Sequence, residues 1–408
     1  MQAMRRESPY PMVPIDEAQR IIAAHTAPLA SEPIDALSAE GRVLAEDVYA
    51  AGPLPDLPKA AVDGYALLAG DGLAARRVLG EITAGSSGQI VLATGTAARI
   101  MTGAPLPPGA DAVIMVEQTE ERDGVVQLRQ AVRVGDSVHR VGQDIAPGEL
   151  VLARGTTIGP AEVGLLAAIG RVQVYAYRRP VVAVLSTGDE VLEPGVALSA
   201  GAIRDSNRYA LMAAARAAGC TTISLGIARD DAALQRQAIV DGLARADVLL
   251  TSGGVSMGTR DLVKPLLAEL GTVHFGRIAF KPGKPTTFAT IGAAIVFGLP
   301  GFPVSSLVSF EVFVRPALRR LQGDAHPDQP RVRVMLVDPI VAAPDRPEYQ
   351  RAIVGWAEGR LVARSTGAQG SSRLLSMRGA NALLLVPGDG RSYPAGAELE
   401  ALLTGPIV

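Results

Sequence analysis

From Arg179 onward, apolar runs of strand length alternate with segments of helix length, and this alternation constrains the fold more than any other feature of the chain. Strands are predicted at 181–185, 221–227, 247–251, 272–280 and 293–298, and helices at 206–218, 231–245, 262–270 and 304–321. Asp205 or Ser206 can cap the first of these helices and Gly219 can end it. Strands separated by helix-length connections imply a doubly wound, mostly parallel sheet. In such a sheet the carboxyl ends of the strands share one edge, and ligands bind in the crevice there.

Three glycine-containing loops follow apolar strands at that edge. Leu249-Leu-Thr-Ser-Gly-Gly-Val-Ser-Met-Gly-Thr-Arg-Asp261 is the most informative. An apolar run ends in two glycines, then come hydroxyls, a third glycine and an acid near a helix start. Such a loop lets backbone approach a ligand, and unpaired N–H groups at a helix N-terminus make an anion seat. The other two are Ser186-Thr-Gly-Asp-Glu190 and Gly298-Leu-Pro-Gly-Phe-Pro-Val-Ser-Ser306. Together they are predicted to place Asp189, Glu190, Asp261, Ser305 and Ser306 along one rim. Phe280-Lys-Pro-Gly-Lys-Pro285 adds two ammonium groups at a spacing stiffened by proline, suited to phosphate or another oxyanion. Carboxylates beside an anion site suggest Mg²⁺, since a hard cation bridges carboxylate and phosphate oxygens. Each piece alone has a duller reading: Thr-Gly-Asp-Glu as a turn, the lysines as solvated surface, Gly-Leu-Pro-Gly as a tight turn. Their order along one sheet is what makes a joint site.

The rest of the chain has a different character. Residues 14–50 read as helical, with Ile15, Ala18, Ile21 and Ile22 at helical spacing and Leu37, Val43 and Leu44 continuing the pattern. The proline-rich segment 52–58 is a stiff connection. Short apolar runs such as Ala112 to Val116 and Val125 to Leu128 alternate with Gly and Pro turns, as in a small strand-rich domain. Pro160 can open a helix over Ala161 to Ile169. His326 to Pro330 reads as a linker, and short strands such as Val332 to Val337 and Ala382 to Val386 with Gly-rich turns read as a small β-barrel or sandwich. The predicted division is a mixed N-terminal domain (7–51 and 141–178), an inserted β-rich domain (52–140), the α/β domain (179–325) and a C-terminal β-barrel (326–408).

The composition excludes several classes. A length of 408 residues suggests about two to four domains. A net charge of −2 argues against a general nucleic-acid or membrane-surface binder. The single cysteine, Cys220, excludes an internal disulfide and cysteine-based zinc sites, and reads as a small buried hydrophobe. No apolar run approaches the roughly 18 residues that span a bilayer, and the N-terminus has no apolar core like that of a signal peptide, so the default is a soluble cytoplasmic protein. There is no P-loop, no Gly-x-Gly-x-x-Gly after the first strand and no Gly-x-Ser-x-Gly elbow. His25, His139, His274 and His326 lack metal-ligand spacing, and Trp356 reads as a packing residue of the last domain.

These motifs, in this order, resemble the molybdopterin molybdenumtransferase family, which includes bacterial MoeA and the gephyrin E domain. In the N-terminal half the likeness rests on Val62-Asp-Gly-Tyr-Ala66, Ile100-Met-Thr-Gly-Ala-Pro105, Gly109-Ala-Asp-Ala-Val113 and Arg140-Val-Gly-Gln-Asp144. In the α/β domain it rests on Leu185-Ser-Thr-Gly-Asp-Glu190, Asp205-Ser-Asn207, Ser252-Gly-Gly-Val-Ser-Met-Gly258, Lys281-Pro-Gly-Lys284 and Gly298-Leu-Pro-Gly301. The resemblance implies a molybdopterin-binding type of α/β domain. It also implies insertion of molybdate into adenylylated molybdopterin with release of AMP, assisted by Mg²⁺, in a homodimer whose cleft lies between the α/β domain of one subunit and the N-terminal domains of the other.

Carried onto this sequence, the resemblance gives Asp261 and Ser256 the pterin or its phosphate, with Asp189, Glu190, Ser252, Gly253, Gly254 and Ser305 in the same pocket. Lys281 and Lys284 would neutralise phosphate and molybdate oxygens. Asp63, Thr102, Arg140 and Asp144 would complete the cleft, Arg140 on an oxyanion, and Asp63, Asp144 and Glu190 on the metal. The residues alone leave Asp63 readable as a turn acid before Gly64. Three departures from the family pattern stand out. Leu57-Pro-Lys-Ala-Ala-Val62 replaces a Phe-Asp-Asn-Ser-Ala-Met type of segment and gains Lys59, Phe302 stands where Asn is usual, and Thr259-Arg260 replaces a segment that often carries an acid. A pterin-binding or scaffolding paralogue impaired in turnover is the alternative reading, and a phosphate-handling hydrolase built on the same α/β domain is a third.

Overall fold

A computed structural model describes residues 10–85, 90–255 and 262–408. Ser256, Asp261 and the Thr259-Arg260 pair lie outside the described residues. The central sheet has six strands in the order Thr221–Ala228, Val181–Thr187, Val248–Ser252, Ala294–Leu299, Thr287–Ile291, Thr272–Phe275. The first four are mutually parallel, and the last two fold back as antiparallel partners. The mostly parallel, doubly wound sheet is therefore present.

The cause lies in the strands themselves. Val248–Ser252 and Ala294–Leu299 are buried at every position. Val182, Val184, Val248 and Leu250 pack into one core with Leu211 and Val308, while Ala183, Leu185 and Leu249 pack into another with Ile239, Val263 and Leu267. Successive side chains of one strand thus serve opposite faces, so a continuous apolar run demands helices on both sides. Each fully buried Val or Leu contributes roughly 1.5–3 kcal/mol.

The flanking helices are Asn207–Ala217, Ala232–Leu243, Val263–Leu270 and a long one running Pro303–Ser309, Phe310–Val314, Arg315–Leu321, whose middle section is π-helical. Asp205 does act at the start of the first, accepting the N–H of Arg208 at 3.1 Å. Two details depart from expectation. The strand predicted over 272–280 stops at Phe275, and Thr287–Ile291, unpredicted, pairs with Ala294–Leu299 as a hairpin.

Residues 14–50 are not one helical region. The helix Ile15–Ala24 ends at His25, and the chain continues as the strand Ser31–Asp35, a single 3-10 turn and the short strand Val48–Tyr49. Pro28 and Pro33 withhold the N–H groups a continuing helix needs. Ala36, Leu44 and Val48 still share a core with Leu166 and Val174, but they reach it from separate pieces. The helix Pro160–Ala168 forms as read, with Glu162 accepting the N–H of Gly159 at 2.9 Å.

Residues 59–128 include a six-stranded sheet ordered Ala112–Met115, Gly64–Leu67, Thr96–Ile100, Arg76–Ile82, Val125–Leu128, Thr119–Arg122. At the C-terminus five strands, Arg331–Leu336, Arg360–Ser365, Glu348–Ala357, Ala382–Val386 and Glu398–Leu403, close into a barrel. Trp356 is not a packing residue. It sits near the end of Glu348–Ala357, opposite Leu361 in the hairpin, and is 64% exposed. The barrel is fastened to the α/β unit: the Lys281 N–H donates to Pro347 O at 2.9 Å, the Tyr349 N–H donates to Lys281 O at 2.8 Å, and Tyr349, Leu383 and Leu402 join the main core. No helix among the described residues is long and apolar enough to cross a membrane.

Candidate functional site

Two adjoining cavities open at the carboxyl edge of the parallel strands. The first, about 580 Å³, is walled by the loops after Val181–Thr187, Val248–Ser252 and Ala294–Leu299, and by the start of the helix Asn207–Ala217. Glu190, Ser252, Gly253, Gly254 and Ser305 all line it. The glycines are required there: Gly253 and Gly254 have φ of +92° and +65°, and a Cβ on Gly254 would meet Val263 at 2.7 Å. The carboxylate of Glu190 folds back over Gly188, with its oxygens 2.7 and 2.8 Å from where a Cβ there would stand.

Asn207 ties the walls together. Its Nδ2 donates to Ser252 Oγ and to Gly301 O, both at 2.7 Å. Behind it, Arg208 bonds Asp205 (2.8 Å), Glu193 (2.6 Å) and Ser224 (2.5 Å), and lies 4.8 Å over the Tyr209 ring. The Tyr209 hydroxyl donates to Glu193 and, with Arg208, holds that carboxyl below its ordinary value. Asp205-Ser-Asn207 is legible as a motif, but nothing in the sequence alone assigns Asn207 its bridging role.

The second cavity, about 690 Å³, shares Pro285 and Ser305 with the first. It is lined by Lys281, Lys284 and, from the barrel, Arg346, Glu348, Gln350, Gln369 and Ser371. Lys281 Nζ lies 3.1 Å from the buried Glu348 carboxylate. Lys284 makes no ion pair among the described residues. Arg346 donates to Asp345 at 2.8 Å, which with Lys281 nearby depresses that carboxyl. Ser371 O accepts the N–H of Val304 at 3.1 Å, and the fully buried Arg351 holds Gly370 O at 3.3 Å and Ser376 Oγ at 3.1 Å. No local pattern in the sequence marks the barrel residues, because only the docking of the barrel brings them to the lysines.

The structure departs from the predicted rim in two places. Ser306 is fully buried and donates its hydroxyl to Pro300 O, so it braces the loop from behind. Asp189 lines neither cavity, but its Oδ1 accepts the N–H of Asp230, which lines the first.

Asp63, Thr102, Arg140 and Asp144 lie elsewhere in the chain, on interlinked loops. Asp63 Oδ1 accepts the Thr102 hydroxyl at 2.6 Å and its N–H at 2.7 Å, and these two bonds hold the carboxyl below its ordinary value. Arg140 and Gln143 close a small turn, and the Asp144 N–H donates to Leu54 O. Lys59 pairs with Asp56 at 3.4 Å, opposite His139 in register. None of these residues lines the two cavities. Asp63, Asp144 and Glu190 form no three-ligand metal group, nor do any other His, Cys, Asp or Glu among the described residues. A cavity of about 810 Å³ between the N-terminal helix and the barrel contains none of the predicted site residues.

A doubly wound sheet with glycine loops, paired cavities at its carboxyl edge and a docked barrel defines a class of multidomain ligand-binding α/β proteins. Family profiles resolve the class. Residues 13–170 match "MoeA N-terminal region (domain I and II)", 183–320 match "Probable molybdopterin binding domain" and 333–404 match "MoeA C-terminal region (domain IV)". Molybdopterin molybdenumtransferase 2 of Mycobacterium tuberculosis is 36% identical over 400 residues, covering 95% of this chain and 98% of that one. Gephyrin of Dictyostelium discoideum is 36% identical over 457 residues, covering 99% of this chain, which in turn spans only 64% of gephyrin. The crystal structure of a molybdopterin biosynthesis MoeA protein from Pyrococcus horikoshii superposes with a TM-score of 0.83 at 28% identity, over 96% of this chain and 100% of that one. The chain belongs to the molybdopterin molybdenumtransferase family, and it is an enzyme.

Proposed function

We propose that this enzyme inserts molybdate into adenylylated molybdopterin, releasing AMP. One observation carries the reading: a cavity of about 580 Å³, of the size that encloses a small organic ligand, shares two residues with a second cavity lined by three cations. In this reading the first cavity takes the nucleotide-bearing pterin, held by Glu190, Ser252 and the Gly253-Gly254 backbone, with Ser256, Asp189 and Asp261 as further contacts. Lys281, Lys284 and Arg346 take molybdate. Their charge offsets that of the oxyanion as it nears the pterin sulfurs, and the stiff Lys-Pro-Gly-Lys-Pro spacing fixes where it rests.

Asp63, Thr102, Arg140 and Asp144 belong to the proposal as groups contributed by a second subunit, in a homodimer with a composite cleft. A carboxylate already bonded twice to Thr102 is ionised and fixed in direction, as a water-orienting or metal-facing group needs to be. Mg²⁺ is part of the proposal on the family resemblance alone. The described residues of one chain do not fit it, because they bring no three acidic ligands together.

Incubation with adenylylated molybdopterin, molybdate and Mg²⁺ tests the reading. Stoichiometric AMP release is expected. Tight ligand binding with no AMP release would replace this reading with that of a pterin-binding paralogue.

A further inference from the structure

Phe302 carries two penalties at one position. It is the N-cap of the helix that begins at Pro303, with extended backbone (φ −71°, ψ 129°), and its side chain makes no capping hydrogen bond. Ser, Thr, Asp or Asn would accept an N–H of the first turn there, which a phenyl ring cannot do. The ring is also 59% exposed. A single exposed hydrophobe is ordinary. This one, however, lines the first cavity, fixed between Gly301 and Pro303, with Ile203 and Val191 adding apolar surface to the same enclosure. Polar groups of that cavity such as Asn207, Ser252, Glu190 and Arg204 supply direction but no flat apolar face.

A phenyl ring presents a flat, polarisable face on which planar heterocycles stack, whatever hydrogen bonds their edges make. We infer that Phe302 is a specificity-determining residue: its ring is the platform on which a planar heteroaromatic ring of the substrate, the pterin or the adenine, stacks. The inference rests on the function proposed above and adds to it the residue that grips the heterocycle.

The test compares Phe302→Leu, Phe302→Asn and Phe302→Tyr in the full chain by calorimetric titration with AMP and, separately, with molybdopterin. Loss of the ring in the Leu and Asn variants should weaken one of the two ligands about tenfold, and Tyr should restore it. The ligand that weakens identifies the stacked heterocycle. The Asn variant should also melt at or above the wild-type temperature, because Asn supplies the missing cap. A merely structural role for Phe302 predicts the opposite. Variants that bind both ligands like the wild type, that weaken both equally, or that lose binding together with a lowered melting temperature would overturn the inference and leave the proposed function standing. A wild-type chain that binds neither ligand would overturn both.

Discussion

Replacing Asn207 with Ala should loosen the cleft without unfolding the chain. The side-chain amide donates two hydrogen bonds of 2.7 Å, one to the end of a central strand at Ser252 and one to the loop carbonyl of Gly301. Each is worth about 1 kcal/mol net, so losing both costs about 2 kcal/mol, or roughly 30-fold in an equilibrium constant. The helix that carries Asn207 has independent anchors. Leu211 and Ala215 are buried in the main core, and Arg208 is bonded to Asp205 and Glu193. The loss should therefore fall on the relative placement of the loops, and so on ligand affinity.

Titration with adenylylated molybdopterin should give a Kd raised up to about 30-fold for Asn207→Ala, with the melting temperature lowered by only several degrees because both bonds also belong to the unliganded fold. Asn207→Asp separates the two bonds. The Ser252 hydroxyl can turn and donate to a carboxylate, whereas Gly301 O is left facing an acceptor, so at least about 1 kcal/mol should be lost. Wild-type affinity in Asn207→Ala would refute the claim that these bonds hold the site together. A collapsed melting temperature would refute the claim that they do so independently of the fold.

Lys284→Ala should raise the KM for molybdate and flatten its dependence on ionic strength, measured from low to high salt; an unchanged salt profile would remove Lys284 from the oxyanion seat. Asp63→Asn should slow turnover while leaving pterin affinity largely intact, and a fully active variant would dismiss that carboxylate. Because the two Thr102 bonds hold the Asp63 carboxyl below its ordinary value, its contribution is present at neutral pH and is lost only as pH falls through that lowered value, so protection of the Thr102 amide relative to its intrinsic exchange rate should fall only in that acid range and lose that acid dependence in Asp63→Asn. Burial pushes the Cys220 thiol up to about 12, so it should resist a thiol-specific reagent at mildly alkaline pH in the native chain and react fully once the chain is unfolded.

What was legible in the sequence follows from how far each feature depends on its neighbours. Val181–Thr187, Val248–Ser252 and Ala294–Leu299 announce themselves by unbroken apolar runs of three or more residues, as burial on both faces favours, with Ser and Thr confined to the carboxyl ends of the first two. Thr287–Ile291, with threonines at two of its five positions, carries no such run and forms by pairing with its neighbour in a hairpin. Beyond the helix Ile15–Ala24 the helical reading of 14–50 fails because residues bound for one small core recur at near-helical spacing even when strands and turns deliver them, and only the prolines argue otherwise. The glycine loops were legible as a site because sheet topology dictates where strand ends meet. Arg346, Gln369 and Ser371 were not, since their approach to Lys281 and Lys284 depends on how a barrel docks more than 60 positions away in sequence.

That docking also sets the electrostatics of the cavity. Glu348 is buried on a barrel strand, and a buried carboxylate is tolerable when a cation answers it. Lys281 is that cation, at 3.1 Å, reached through the same backbone contacts that fasten the barrel. Its field toward anything in the cavity is then partly offset from behind. Lys284, with no ion pair among the described residues, keeps its charge for the cavity. An oxyanion resting between them should therefore feel Lys284 more strongly than Lys281. Lys281 would instead report on the seam between barrel and α/β unit, and changes there should reach the oxyanion through Glu348 as much as through direct contact.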